Sequence, residues 1–224
     1  SPMPDRPGPA VFTIPPIRAF ADALVAGVLA QHGADRMALA HGTVLVPNNR
    51  AGQAIREAFV RQAEGGLLLP RLVAVGDSDL GEKAGVALDA IDDAPLSPAV
   101  EPLQRQLILA RLIQNERGGD GAEAMRLAAD LARTLDQLIV EGVAPSKLRE
   151  LDLSGELSAH WNVSLGQLEA ILESWPRELQ RLGRIDLADR RNRQLKRVAE
   201  RWRDAPPKGF VIAAGISTGA PAVA

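Results

Sequence analysis

The chain has 224 residues, with 26 Lys and Arg against 28 Asp and Glu, no cysteine and no tyrosine. This length can bury a hydrophobic core as one large domain or two small ones. The lack of cysteine excludes disulfides, thiolate nucleophiles, iron–sulfur clusters and cysteine-ligated zinc. A formal net charge of -2 argues against a uniformly basic nucleic-acid or membrane binder but leaves a local basic face open. No apolar run approaches the roughly 18 residues of a membrane span, and the N-terminal residues show no basic-then-apolar leader pattern, so we expect a cytoplasmic protein.

The first third of the chain reads as a small α/β unit. Proline-rich residues 1–10 predict a disordered leader, and VFTI at 11–14 predicts a strand. Apolar residues at helical spacing follow from Ile17 and predict a helix that ends near Gly33. The run TVLVP at 43–47 predicts a buried strand.

The next elements continue the alternation. Asn48 is a suitable N-cap for a helix whose buried face carries Ala51, Ile55, Ala58 and Phe59. Apolar residues at 67–75 predict further strand. The resulting β-α-β-α-β order favours a parallel sheet.

The remainder reads as mostly helical. Residues 76–101 carry seven acidic residues and one lysine, which predicts a solvated connection. Pro102 is placed to open a helix with Leu103, Leu107 and Ala110 on its buried face, and Gly142 to end the next helix. Pro176 predicts a kink or two abutting helices. Asp186 is a plausible N-cap for a last helix, and residues 210–214 predict a final strand.

These elements predict a fold of the α/β class. The sheet would come from 11–97 plus 205–224, after a leader at 1–10. The helical residues 98–204 would form a large all-helical insertion.

The most informative local feature is a basic segment near the end of the helical part. Residues 184–203 hold eight basic and three acidic residues, so this segment is +5 and the other 204 residues are -7. Arg190, Arg193, Arg197 and Arg201 fall within about 80° of arc on a helix. Such a stripe can follow a nucleic-acid backbone. The alternative is a solvated face that pairs with the acidic residues at 76–101.

Asn48, Asn49 and Arg50 lie where a strand ends and a helix begins. In open α/β sheets, phosphates bind at the carboxyl ends of strands and at helix N-termini. These residues are therefore candidates for a phosphodiester contact. The alternative is simple capping of the helix by Asn48.

The sequence contains no motif typical of nucleotide hydrolysis or of metal binding. GISTGAP at 215–221 has no lysine after its second glycine, and no G-K-[ST] occurs in the chain, so we expect no ATP binding and no cofactor. The histidines lack metal-like spacing, and Asp77 with Asp79 has no evident third ligand, so we expect no metal. No nucleophile elbow is present. We therefore expect no enzyme activity in this segment.

Several stretches resemble the AddB subunit of bacterial AddAB helicase–nucleases, in consistent order from about residue 11 to the end. They include VFTIPPIRAFADALVAGVL at 11–29, VLVPNNRAGQAIREAF at 44–59 and LLLPRLVAVGD at 67–77. Further stretches are HWNVSLGQLEAILESWPREL at 160–179, GRIDLADRRNRQL at 183–195 and VIAAGISTGAPA at 211–222.

The resemblance implies a P-loop-NTPase or helicase-like parallel sheet domain with a large helical insertion. It implies a catalytically inert part of a DNA double-strand break repair complex, with the AddA helicase–nuclease and single-stranded or end-processed DNA as partners. Asn48, Asn49 and Arg50 match the helicase loop that touches single-stranded DNA, and Ser217 and Thr218 are weaker candidates. The family's C-terminal nuclease and its iron–sulfur site have no counterpart in these residues. The alternative function is a helical protein–protein interaction module without direct DNA binding.

Overall fold

The computed structural model describes residues 9–63, 65–76, 95–144, 147, 158–217 and 220–222, with the backbone alone at 158–166. Its elements, in chain order, are α1 (Phe20–His32), α2 (Arg36–Ala40), β1 (Thr43–Val46), α3 (Asn49–Gln62), β2 (Arg71–Ala74), α4 (Pro102–Arg117), α5 (Gly121–Glu141), α6 (Ser158–Leu182), α7 (Leu187–Asp204) and β3 (Val211–Ala213). The structure is therefore of the α/β class, with a small parallel sheet and mostly helices, as predicted.

Contacts divide the described chain into two compact units. One lies within Ser1–Ala74 and Pro207–Ile216, and the other within Val75–Pro206 and Ser217–Ala224. The first unit contains the sheet, and the second contains α4 to α7. The domain limits predicted from the sequence stay a prediction.

In the first unit, β1 is the central strand of the order β2-β1-β3, and both pairings are parallel. Its side chains Val44 and Val46 are fully buried, because α1 and α3 supply apolar residues against the sheet. Phe59 of α3 is the largest fully buried side chain of the described residues. This core holds α3 on the sheet at a fixed position.

A polar contact joins the outer sides of α1 and α3. Arg61 donates to the Asp22 carboxylate at 2.6 Å, and Gln62 Nε2 donates to the Asp22 backbone oxygen at 2.9 Å. The Arg61 hydrogen bond lowers the pKa of Asp22. The Arg61–Asp22 ion pair is exposed and contributes little, so the apolar core is the main source of stability for this packing.

The prediction of a strand at 11–14 is wrong. Val11 and Phe12 are 88% and 74% exposed, and neither belongs to a strand. Pro15 and Pro16 follow, and Arg18 donates to the Pro15 carbonyl in a turn. High β-propensity alone does not form a strand without a paired neighbour. The strand within 67–75 is also shorter than predicted, because only Arg71–Ala74 pairs with β1.

In the second unit, α4 packs on α5 and α6, and α5 packs on α7. Ile108, Leu109 and Ile113 of α4 are buried with Trp175 of α6. Leu103 and Leu107, predicted on the buried face, are 65% and 53% exposed. Arg105, two residues from each leucine in sequence, lies on the opposite, inner face, where it contacts the buried Asp186 and the half-exposed Asp136. Leu103 and Leu107, which are four residues apart, thus lie on the outer face of this helix.

Helix boundaries follow local chemistry where the signal is strong. Gly142 ends α5 in the left-handed conformation with φ of 65°, as predicted. Pro176 lies inside α6, a single helix from Ser158 to Leu182, so the alternative of two abutting helices is wrong, and the kink stays a prediction. Asp186 is the N-cap residue of α7, but its side chain makes no capping bond. It instead accepts a hydrogen bond from Trp175 Nε1 at 2.8 Å.

Gly42 provides a test of the packing at the start of β1. A methyl group on Gly42 would overlap the Phe210 ring, which also stacks on His32 at 4.1 Å. Gly42→Ala should therefore lower the free energy of unfolding by about 1 to 3 kcal/mol in urea titration. Gly27→Ala is the matched control, since nothing lies near Gly27 in α1, and it should stabilise the protein by up to about 1 kcal/mol. Equal effects of the two substitutions would contradict the packing.

Candidate nucleic-acid interface

The first candidate surface is the carboxyl end of β1, where α3 begins. Asn48 has extended backbone angles (φ -157°, ψ 170°), and its Oδ1 accepts the amide of Ala51 at 2.8 Å. The amide of Gly52 bonds the Asn48 carbonyl at 3.1 Å. Asn48 is therefore a true N-cap, as the simpler interpretation predicted. The capping bond uses only its side-chain oxygen.

The three predicted residues of this surface are all exposed. Asn49 and Arg50 form the first turn of α3, and Asn48 precedes it. The first amides of a helix lack intrahelical partners. Asn48 accepts the amides of Ala51 and Gly52, whereas no described residue accepts the amide of Arg50, which leaves this amide for an anion beside the guanidinium of the same residue. The N-terminal end of the helix dipole favours the same charge.

The position of this turn is set by close packing. Gly52 is buried, and a methyl group there would lie 3.6 Å from Val46 Cγ2. One turn further along α3, Ile55 is buried with a relative exposure of 1%. Asn48, Asn49 and Arg50 therefore stand at the junction of a buried strand and a helix that packs into the core. A site at such a junction is better defined than one on a free loop.

Two further candidate residues, Ser217 and Thr218, follow β3, and the structure describes only the first of them. Ser217 is exposed and follows the strand by four residues, after Gly215 with φ of 64°. Thr218 lies outside the described residues, as do Asp77 and Asp79. No grouping of three or more potential metal ligands occurs in the described part of the chain.

The second candidate surface is the arginine stripe on α7, in the other unit. Arg193 is exposed and pairs with Asp189 at 2.8 Å, one turn earlier. Arg190, Arg197 and Arg201 are half-buried, and each takes part in further interactions. The stripe is therefore not a row of freely solvated cations. The two surfaces belong to different units.

Sequence reasoning missed Arg191 on the same helix. Its side chain is 3% exposed and donates from Nε and Nη2 to the Val75 carbonyl, at 2.9 and 2.6 Å. Both nitrogen atoms donate to the same backbone oxygen. The two hydrogen bonds therefore hold the backbone at Val75, the residue that follows β2. A signal was present, since Arg191 stands midway between Leu187 and Leu195 on the apolar face.

Sequence reasoning also missed a polar cluster formed by the buried residues Arg105, Trp175 and Asp186 together with Asp136, whose side chain is 45% exposed. Arg105 Nη1 donates to Asp136 Oδ2 at 3.0 Å, and its Nε lies 2.9 Å from Asp186 Oδ1. The latter contact is an ion pair by distance without hydrogen-bond alignment. Burial raises the pKa of Asp186, against the opposing effects of Arg105 and the Trp175 hydrogen bond. The cluster joins four helices and explains the inward orientation of Arg105.

No family model, curated protein or solved structure matches the chain. Within the described residues, no helix combines the length and apolar character needed to cross a membrane.

Proposed function

We propose that this chain is a catalytically inert, helicase-like segment of a DNA double-strand break repair subunit similar to AddB, in a cytoplasmic complex with an AddA-type helicase–nuclease. Its role is to support the assembly and to guide single-stranded or end-processed DNA. The parallel α/β sheet supports a P-loop-NTPase-like or helicase-like core. The quoted sequence stretches support the family.

The observation that carries the DNA contact is the start of α3 at the carboxyl end of the central strand. There the exposed Arg50 guanidinium, its amide and the helix dipole all favour one negative charge. A phosphodiester is the matching group in nucleic acid. Contacts of this kind position the strand without reading bases, so binding should depend on salt and little on sequence.

The arginines of α7 are the second contact in this proposal. Arg193 is the most suitable of the four because its side chain is 54% exposed. Its ion pair with Asp189 is exposed and therefore weak, so a phosphate can replace the carboxylate at modest cost. Ser217 and Thr218 remain weaker candidates beside these residues.

The decisive variant is Arg50→Glu. It should weaken binding of a fluorescent single-stranded oligonucleotide by about tenfold and reduce the slope of log K against log salt by about 0.7, which is the loss of one phosphate contact. Fluorescence anisotropy measures both quantities.

Arg56→Glu is the matched control, since it makes the same charge change on an exposed part of α3 away from its N-terminus. Arg56 bonds only Gln53 among the described contacts, at 2.7 Å. If both variants weaken binding equally, the contact is a general charge effect and the proposed site is wrong.

The second candidate function is a helical protein–protein interaction module. It is favoured by Leu103 and Leu107, which lie exposed one turn apart on α4. In that case the chain would bind its partner protein and show no affinity for single-stranded DNA at low salt.

A further inference from the structure

Helix α7 lies outside the apolar core of the helical unit. The described residues of that core come from α4, α5 and α6 together with Val100, and none comes from α7. Polar contacts help to hold α7 in place. Arg191 donates to the Val75 carbonyl, and Asn192 Nδ2 donates to the Ile139 carbonyl of α5 at 2.8 Å. Release of α7 therefore leaves the core of the other three helices intact.

The inner face of α7 also contains a buried amide without partners. Gln194 is 3% exposed, and neither its Oε1 nor its Nε2 forms a hydrogen bond. Asn192 Oδ1 is buried without a partner as well. Such groups have given up their hydrogen bonds to water and gained none in return. Burial of Leu195 and Val198 favours the packed helix, whereas the Gln194 amide favours solvent, so the two positions of α7 are close in free energy.

In its packed position, α7 offers only part of its arginine stripe. Arg193 is exposed, but Arg190, Arg197 and Arg201 are half-buried and engaged in other interactions. The four arginines share about 80° of arc on the helix. A released helix can present all of them to a phosphate backbone. A ligand that binds the released form more tightly shifts the population toward it.

We propose that α7 opens from α4, α5 and α6 as a unit, and that single-stranded DNA binds its arginines in the open form. The first part is independent of the proposed function. The second part rests on it, and makes the DNA contact of α7 subject to the opening of the helix. Gln194 sets the opening equilibrium, because its amide recovers hydrogen bonds to water when the helix leaves.

The absence of cysteine from the chain allows a single introduced thiol to report the opening. Val198→Cys places a thiol on the inner face of α7, and Ile113→Cys places one in the core on α4. The two replaced side chains are almost equally buried, at 6% and 4% exposed. With excess aromatic disulfide reagent, the thiol at 198 should react at least about tenfold faster, since local opening needs less free energy than global unfolding. Equal rates would overturn the proposal.

Gln194→Leu tests the role of the buried amide without a change in charge. It should slow the reaction of the thiol at 198 by about tenfold, because the packed helix no longer contains an unpaired amide. In the cysteine-free chain it should weaken binding of single-stranded DNA several-fold and leave the salt slope unchanged. Gln180→Leu is the matched control, since Gln180 is exposed on α6, and it should change neither quantity. A thiol rate that Gln194→Leu does not lower contradicts the proposal.

A single-stranded oligonucleotide at saturating concentration and about 50 mM salt tests the capture of the open form. It should speed the reaction of the thiol at 198 and leave that of the thiol at 113 unchanged. A rate at 198 that falls or stays the same would overturn capture of the open form. If the chain binds no single-stranded DNA, the proposed function fails, and the thiol rates without DNA still decide whether α7 opens.

Discussion

Arg105→Met should lower the free energy of unfolding by about 3 to 5 kcal/mol, because it leaves the Asp186 carboxylate buried without its cation. The Asp186 side chain is only 6% exposed, so water cannot replace the guanidinium. Methionine keeps much of the side-chain volume over the Trp175 ring, so lost packing contributes little. Urea denaturation measures the loss.

A double variant separates the buried charge from other causes. Asp186→Asn added to Arg105→Met removes the charge but keeps an acceptor for Trp175 Nε1, so the double variant should be more stable than Arg105→Met by about 1 kcal/mol or more. A double variant less stable than the single one would contradict the buried-charge explanation.

The pH dependence has a defined sign. Burial raises the pKa of Asp186 in the folded protein, and loss of Arg105 removes a group that opposes this shift. The folded variant then binds a proton more tightly than the unfolded chain does. Its deficit relative to wild type is therefore full at neutral pH and shrinks as the pH falls toward the ordinary carboxyl range near 4. A deficit that grows in acid would be the opposite result.

Phe59→Ala should cost about 3 to 5 kcal/mol, because it removes the largest fully buried side chain from the core between α3 and the sheet. Thermal or urea unfolding measures this loss. Val60→Ala is the neighbouring control, since Val60 is 68% exposed and its truncation should change stability by less than about 0.5 kcal/mol.

The Phe59 variant also bears on the site. Because α3 presents Arg50 from its N-terminal turn, a loosened helix should bind single-stranded DNA more weakly even though the residues of the proposed DNA contact are unchanged. Phe59→Leu, with a smaller cavity, should lie between wild type and Phe59→Ala in both stability and binding. A loss of stability below 1 kcal/mol for Phe59→Ala would contradict the packing of α3 on the sheet.

Sequence reasoning succeeded where one residue and its near neighbours determine the structure. β1 is a continuous apolar run, and Asn48 caps α3 through a residue three positions away. Gly142 ends α5 because it adopts the left-handed conformation itself. The placement of Asn48, Asn49 and Arg50 at the start of α3 is predicted for the same reason, since a strand end and a helix start are local signals, and their role as a site stays a prediction.

Sequence reasoning failed where distant residues decide. Arg105 contacts Asp136, 31 positions later in the sequence, and Asp186, 81 positions later. The residues around Leu103 and Leu107 contain no pattern that predicts these contacts. The strand predicted at 11–14 would need a neighbouring strand to pair with, and the spacing of apolar residues does not show whether such a strand is present. The stripe on α7 was visible as charge, but the pairing of Arg193 with Asp189 and the half-burial of the other three were not.

Single-stranded DNA binding by the wild-type chain is the most direct test of the central claim. Fluorescence anisotropy should be measured at about 50 and about 200 mM salt, where release of counterions from phosphates is most evident. The proposal predicts binding at the lower salt that weakens steeply at the higher salt, by a slope of about 0.7 per phosphate contacted, with little dependence on sequence. Absence of binding at the lower salt, or binding that salt does not change, would contradict a phosphate contact at the start of α3.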